Sequence, residues 1–241
     1  MAKLARSPVL FSARARLIVA FVLAFGFASV QSLLMVPVLV AIGATALLAS
    51  GMIGHNLARL RGALLLAAAF LLVLPLISGQ TEIAGLGPVT LYLEGAQAGA
   101  LIAGRLLAIV ALILALLSPV SPFDLVAGMR ALGVPALMAD LAFLTLRYME
   151  EISGELARGR LARLLRGGKT GWRALPDHAD LLAGSLIRAQ LRSEQLWAAM
   201  RLRGYSAGLN TPVAPLGPFD WACILGGSVL ALAIFWLDRS I

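Results

Sequence analysis

Apolar residues run from Leu17 to Ala58 without an Asp, Glu, Lys or Arg, a stretch of 42 residues. At about 1.5 Å per residue, a helix of that length crosses a hydrocarbon core of roughly 30 Å twice. Gln31 and Ser32, with Pro37 close behind, interrupt it, and irregular backbone is costly in lipid, so the turn belongs at an interface near residues 31–37. The pattern predicts spans over about 17–31 and 35–50, and further apolar runs predict spans over about 62–78 and 99–117. A last span covers Trp221 to Leu237 within segment 217–241. The first run could serve as a secretory signal, but no Ala-x-Ala site leads into a polar region, so it reads as a retained anchor. The expectation is an all-α integral membrane protein with five transmembrane helices, four of them within residues 1–120.

Segment 121–216 has a different pattern. Ser121 and Pro122 open a helix that stops at Gly133, and Pro135 starts the next. There Leu137, Met138, Leu141, Leu144 and Tyr148 recur at helical spacing, with Asp140, Arg147, Glu150 and Glu151 at polar positions, up to Leu165. Gly167 and Gly168 close this helix, and Lys169 to Asp177 reads as a linker. A third helix, about Ala179 to Arg203, carries Leu182, Leu186, Ala189, Trp197 and Met200 along one side and ends at Gly204. These amphipathic helices are too polar to cross the bilayer, and they predict an α-helical domain between the fourth and fifth spans.

Composition sharpens the membrane reading. The 241 residues are 60% hydrophobic and 13% charged, where soluble domains average roughly 45–50% apolar and about 25% charged. The net charge of +8 is distributed in blocks, which disfavours a nucleic-acid surface and suits membrane topology. Lys3, Arg6, Arg14 and Arg16 precede the first span, and Arg59 and Arg61 lie between the second and third. Segment 121–220 holds twelve basic residues, whereas the loop from Gly79 to Ala98 has Glu82 and Glu94 and no cation. By the positive-inside rule the N-terminus and segment 121–216 are cytoplasmic, and Arg239 ends the chain outside. With one cysteine, Cys223, an internal disulfide is impossible. With His55 and His178 the only histidines, three or four convergent metal ligands are not expected here.

Two helices of the polar segment share an ending, Leu165-Arg166-Gly167 and Leu202-Arg203-Gly204, with Arg163 and Arg201 just before. Cations favour helix C-termini and Gly favours the position after them, so one such ending is commonplace. Two matched endings in one insertion suggest more. Each projects a permanently charged guanidinium fork suited to a carboxylate on a partner.

Here the sequence resembles the transmembrane T component of energy-coupling-factor (ECF) transporters, a group of ABC importers, and within it the CbiQ type associated with cobalt or nickel uptake. The likeness is sharpest at Ser121-Pro122-Phe123-Asp124-Leu125 with Leu132-Gly133-Val134-Pro135, at Leu146-Arg147-Tyr148 with Glu150-Glu151, at Arg160-Leu161-Ala162-Arg163, and from Arg192-Ser193-Glu194 to Gly204-Tyr205. The resemblance implies that the Arg-containing tripeptides dock into grooves of two cytoplasmic ABC-type ATPase subunits, a role carried to Arg166 with Gly167 and Arg203 with Gly204. Leu165 and Leu202 stand where Ala is frequent, a departure that bears on packing at the tips. The face formed by Leu137, Leu141, Leu144, Tyr148, Trp197 and Met200 is then expected to pack on neighbouring helices and on a membrane substrate-binding (S) subunit. The resemblance implies ATP and Mg on the ATPases and cobalt or nickel on the S subunit, with no cofactor on this chain. It implies a bacterial inner (plasma) membrane location, and a vitamin such as biotin is the alternative cargo.

Arg105, about six residues into the expected fourth span, is a functional candidate because charge is costly there, unless it snorkels to the outer interface. Glu94 and Gln97 read as interfacial loop, and Gly226 with Gly227 as helix-packing positions. No Gly-x-x-x-x-Gly-Lys-Ser/Thr run occurs, so an ATPase would act in trans. An integral membrane enzyme would need acidic metal ligands, or a Ser with a His base, at membrane depth, and His55 and Ser228 have no visible relation. A conventional ABC permease half would couple through one helix rather than two.

Overall fold

The computed structural model describes residues 12–51, 53–77, 82–86, 89–168, 171–205 and 216–240. Lys3, Arg6 and Lys169, counted above among the topogenic cations, lie outside the described residues. The helices are α1 (Ala13–Ser29), α2 (Val36–Ala49), α3 (Ile53–Ile77), α4 (Leu93–Leu117), α5 (Pro122–Ala131), α6 (Ala136–Leu165), α7 (Leu175–Leu202) and α8 (Pro218–Ser240). Short 3-10 turns occupy Leu33–Met35 and Gly171–Ala174. The helical class holds, with one exception among the described residues: β1 (Glu82–Leu86) and β2 (Val89–Tyr92) pair antiparallel where sequence patterning suggested a plain loop. Three stretches are long and apolar enough to cross a membrane, Asn56–Ile77, Leu93–Leu117 and Pro218–Ser240. α1, with 17 residues, and α2, with 14, are shorter.

The chain divides into two compact units, residues 1–128 with 214–241, and residues 129–213. In the first, α4 is the central helix, packed against α3, α2 and α1. The reason is a stripe of small buried residues, Gly95, Gly99, Ala103, Ala108, Ala111 and Ala115, which lets neighbouring backbones approach closely. A Cβ added to Gly104 would strike Val36 Cγ1, and one added to Gly43 would sit 3.0 Å from the Ala108 carbonyl oxygen. Phe27, Val30, Leu39 and Leu112 fill the core between these helices. On α8, Gly227 meets Val19 of α1, while a Cβ on Gly226 would meet open space.

Carboxylates at the two ends of α8 tie it to α1. Asp220 Oδ1 accepts from the Ser12 amide at 2.9 Å. Asp238 accepts from the Gln31 and Ser32 amides at 2.8 and 2.9 Å and from the Ser32 hydroxyl at 2.6 Å. Each thus satisfies polar groups at a helix end or turn that no helical ladder can reach. Arg16 does the same for α4, donating through Nη1 to the Leu116 carbonyl at 3.2 Å.

Several expected boundaries move. α3 begins at Ile53 and carries His55, Arg59 and Arg61 in its opening turns, and α4 begins at Leu93, so Glu94 and Gln97 are helical rather than loop. Hydropathy marks where side chains become apolar, whereas the i to i−4 ladder extends past that point, and Glu94 complements the positive end of the α4 dipole. Arg105 accordingly lies roughly three turns inside α4.

In the second unit, α6 and α7 form an antiparallel hairpin. Tyr205 meets Asp140, Arg192 meets Glu151 and Glu155, Arg188 meets Glu155, and a Cβ on Gly159 would strike Leu181. Partners rise along one helix as they fall along the other. The expected linker before α7 is shorter than patterning suggested, because Pro176 is accommodated in the first helical turn, where its missing N–H costs nothing. Asp177 and His178 therefore belong to that turn.

Candidate functional site

The two Arg-Gly endings have nearly the same geometry. Arg166 caps α6 with φ −90° and ψ 13°, and Arg203 caps α7 with φ −89° and ψ 9°. Gly167 and Gly204 follow at φ +81° and +74°, the left-handed region that only glycine enters without steric cost. The Gly168 amide donates to the Arg163 carbonyl at 2.9 Å and the Gly167 amide to Leu164 at 3.1 Å. Tyr205 donates to Met200 at 3.0 Å and Gly204 to Arg201 at 3.1 Å in the same way. Both ends are Schellman motifs, which close the last carbonyls and turn the chain sharply.

Because the hairpin is antiparallel, these two tips lie at its opposite ends. With 28 residues in α7, their separation is on the order of 40 Å. Arg166, Gly167, Arg201, Arg203 and Gly204 are exposed, and Arg163 is half-buried because its Nη1 donates to the Asp177 carbonyl. The tips therefore present guanidinium groups outward on rigid corners. Beside the first tip, Arg160, Arg163, Leu164, Ala174, Asp177 and His178 line a cleft of about 240 Å³.

Beneath the second tip lies a polar knot that patterning did not reveal. Asp140, read from the sequence as a polar position, is 2% exposed and pairs with Arg130 Nη1 at 3.0 Å. Tyr205 donates its hydroxyl to the other carboxylate oxygen at 2.9 Å, and this bond, with burial adding to it, raises the phenol above its ordinary pKa. The available signal was the spacing of Arg130 and Asp140 around Gly133-Val134-Pro135, a turn that folds one back on the other. Along the hairpin, Arg192 Nη2 bonds Glu155 at 2.7 Å and lies 3.3 Å from Glu151. That hydrogen bond, reinforced by nearby guanidinium charge, holds the Glu155 carboxyl below its usual range, and the same bond, reinforced by the Glu151 carboxylate, holds the Arg192 guanidinium above its own.

The expected partner-packing residues divide by exposure. Leu137, Leu141 and Trp197 are exposed, whereas Leu144, Tyr148 and Met200 are half-buried. Tyr148 is partly covered by Arg192, whose guanidinium carbon is 5.7 Å from the ring centroid. Among the described residues no group of three or more His, Cys, Asp or Glu converges.

A family model described as CbiQ, cobalt transport protein, matches residues 5–212. A search of curated proteins returns no match.

Proposed function

The chain belongs to the CbiQ family of cobalt transport proteins, a component of a multi-pass membrane transporter, and from that premise we propose that it is the non-catalytic coupling subunit of an ECF-type ABC importer. The observation that carries the reading is the pair of Arg-capped Schellman tips, alike in cap geometry and set at opposite ends of one helical hairpin. Two like tips on the order of 40 Å apart suit two grooves on two separate subunits.

In this reading five helices, α1 to α4 and α8, cross a bacterial inner membrane, and the N-terminus and the α5–α7 region face the cytoplasm. The positive-inside distribution supports that orientation. Arg166 and Arg203 seat in grooves of two cytoplasmic ATPases, where each can form a charge-assisted bond to a carboxylate. ATP and Mg are held by those partners. ATP binding closes the ATPase pair, the grooves move, and the seated tips carry the movement along α6 and α7. The exposed apolar positions Leu137, Leu141 and Trp197 contact a membrane substrate-binding subunit, which holds the transported ion, cobalt or nickel, as substrate.

The test is co-purification of the full chain with its ATPase partners, followed by ATP-dependent uptake of cobalt. Arg166→Ala and Arg203→Ala should each weaken capture, and together they should abolish uptake while the protein still reaches the membrane. If the double variant assembles and transports at wild-type rate, the Arg-Gly ends are only helix stops and the coupling reading is wrong.

A further inference from the structure

The most exposed large apolar side chains among the described residues are not on the membrane helices. They are Leu202, 90% exposed, and Leu165, 80% exposed, and each immediately precedes the capping arginine of a tip. Their exposure follows from cap geometry. In a Schellman motif the apolar contact joins the third residue from the helix end to the second residue past the cap, here Met200 and Tyr205 in α7, so Leu202 is not the residue the cap employs. In α6 those positions are Arg163 and Gly168, and again Leu165 is left over.

A third Schellman end in the same chain serves as an internal comparison. α5 closes through Gly133 at φ +102°, with Val134 donating to Met129 at 3.3 Å and Gly133 to Arg130 at 3.1 Å. There the position matching Leu165 and Leu202 is Ala131, and the nearby arginine turns inward to Asp140. Leucine in the last helical position is therefore not a requirement of this cap, and the α5 end exposes a leucine only at the cap position itself, Leu132, 44% exposed. Leucine fills the last helical position at the two ends that also present arginine outward.

We infer that Leu165 and Leu202 are the apolar anchors of the two tips, each inserting into a partner pocket with an apolar floor and an acidic rim. This rests on the coupling reading above and adds which atoms grip. The rim chemistry follows from charge: Arg158, Arg160, Arg163 and Arg166 succeed one another on α6 with no acidic residue between, and Arg201 and Arg203 flank Leu202. Leu202 stands between two cations, and Leu165 has the exposed Leu164 and Leu161 beside it on an arginine-rich helix end; one to three leucines among cations give only a shallow hold on a bilayer, whereas in a closed pocket a single leucine gives a specific one. The occupant is thus a folded groove on the ATPase, and the two grooves share one chemistry because the two tips do.

The experiment measures binding of the full chain in nanodiscs to the purified ATP-binding subunits of its own importer. Leu165→Ala and Leu202→Ala should each weaken binding about tenfold or more, as expected for losing a buried leucine, and this loss should persist at high salt. Leu→Met should restore most of it, and helicity should be unchanged because both side chains are exposed. In a Cys223→Ser background, which leaves no other thiol, a polarity-sensitive dye on Leu165→Cys or Leu202→Cys should shift to the blue when the ATPase is added. If the leucine variants bind like wild type while the arginine variants fail, this inference is overturned and the coupling reading stands. If neither set affects binding, both are overturned. A blue shift already present before the ATPase is added would mean that the tips lie in lipid and would overturn the inference as well.

Discussion

Tyr205 donates its hydroxyl to Asp140 at 2.9 Å across 65 positions of sequence, and the other oxygen of the same buried carboxylate takes Arg130. One side chain thus holds the end of α5, the first turns of α6 and the residue that follows the α7 tip. Removing it strands Arg130, whose side chain is only 15% exposed. Asp140→Ala should lower the unfolding free energy by about 3 kcal/mol, the range found when one partner of a buried pair is deleted. Tyr205→Phe should instead act locally, speeding amide exchange at Leu202 to Tyr205 and leaving global unfolding nearly unchanged. Denaturant unfolding in detergent and hydrogen exchange separate the two. Equal effects from both substitutions would mean the knot does not distinguish the carboxylate from the phenol.

The glycines of α7 make opposite predictions at two positions. Gly204 has φ +74°, so Gly204→Ala forces a Cβ into left-handed backbone at a cost of about 1 kcal/mol and should fray the tip. Gly184 lies inside the helix, where an added Cβ meets only the flexible end of Arg188 at 3.4 Å. Gly184→Ala should stabilise the helix by roughly 0.5–1 kcal/mol. Amide exchange should therefore accelerate near residue 204 in the first variant and slow through mid-α7 in the second.

The helix stops at Gly133, Gly167 and Gly204 were legible in the sequence because a left-handed cap has a strong residue preference. The antiparallel order of α6 and α7, and hence the opposed tips, was not, since it depends on pairings such as Arg192 with Glu155 that periodicity cannot assign. The polar character of Asp140 was legible, but its burial was not, because only the turn at Gly133 brings Arg130 onto it. The exposure of Leu165 and Leu202 was equally hidden, because an apolar residue at a helix end ordinarily packs inward. Hydropathy located the apolar cores of α3 and α4 but not their charged first turns, since Arg59, Arg61 and Glu94 interrupt apolarity without interrupting the hydrogen-bond ladder.

The Glu155–Arg192 bond gives the hairpin a pH dependence. The Glu155 carboxyl is held below its ordinary value near 4.5, chiefly by the Arg192 hydrogen bond. A depressed carboxylate contributes its full stabilisation above the unfolded-state value and loses it as pH falls through the lowered folded-state value. Stability of the wild-type chain should therefore be flat from pH 7 to about 5 on account of this group and decline below that. Glu155→Gln should lower the plateau and flatten that part of the decline. Thermal unfolding of the two proteins across pH 3–7 provides the comparison, and parallel curves would mean that the bond does not form in solution.

Among the described glycines of the membrane unit, the one with least room for a Cβ offers a test that does not depend on function. At Gly104 an added Cβ would strike Val36 Cγ1, so α4 and the start of α2 are packed against each other with no room for a methyl group. Gly104→Ala should cost roughly 1–3 kcal/mol through overpacking. The atom in the way is the tip of a side chain rather than backbone, so Val36→Ala should make room and rescue the variant. At Gly43 the opposing atom is the Ala108 carbonyl oxygen at 3.0 Å, and no side-chain truncation can relieve it. Thermal stability of the purified chain should thus recover in the Gly104→Ala/Val36→Ala double variant, whereas Gly43→Ala should stay destabilised alongside Val36→Ala. Recovery in both pairs would mean that α2 shifts freely on α4 and that the small-residue stripe does not fix their register.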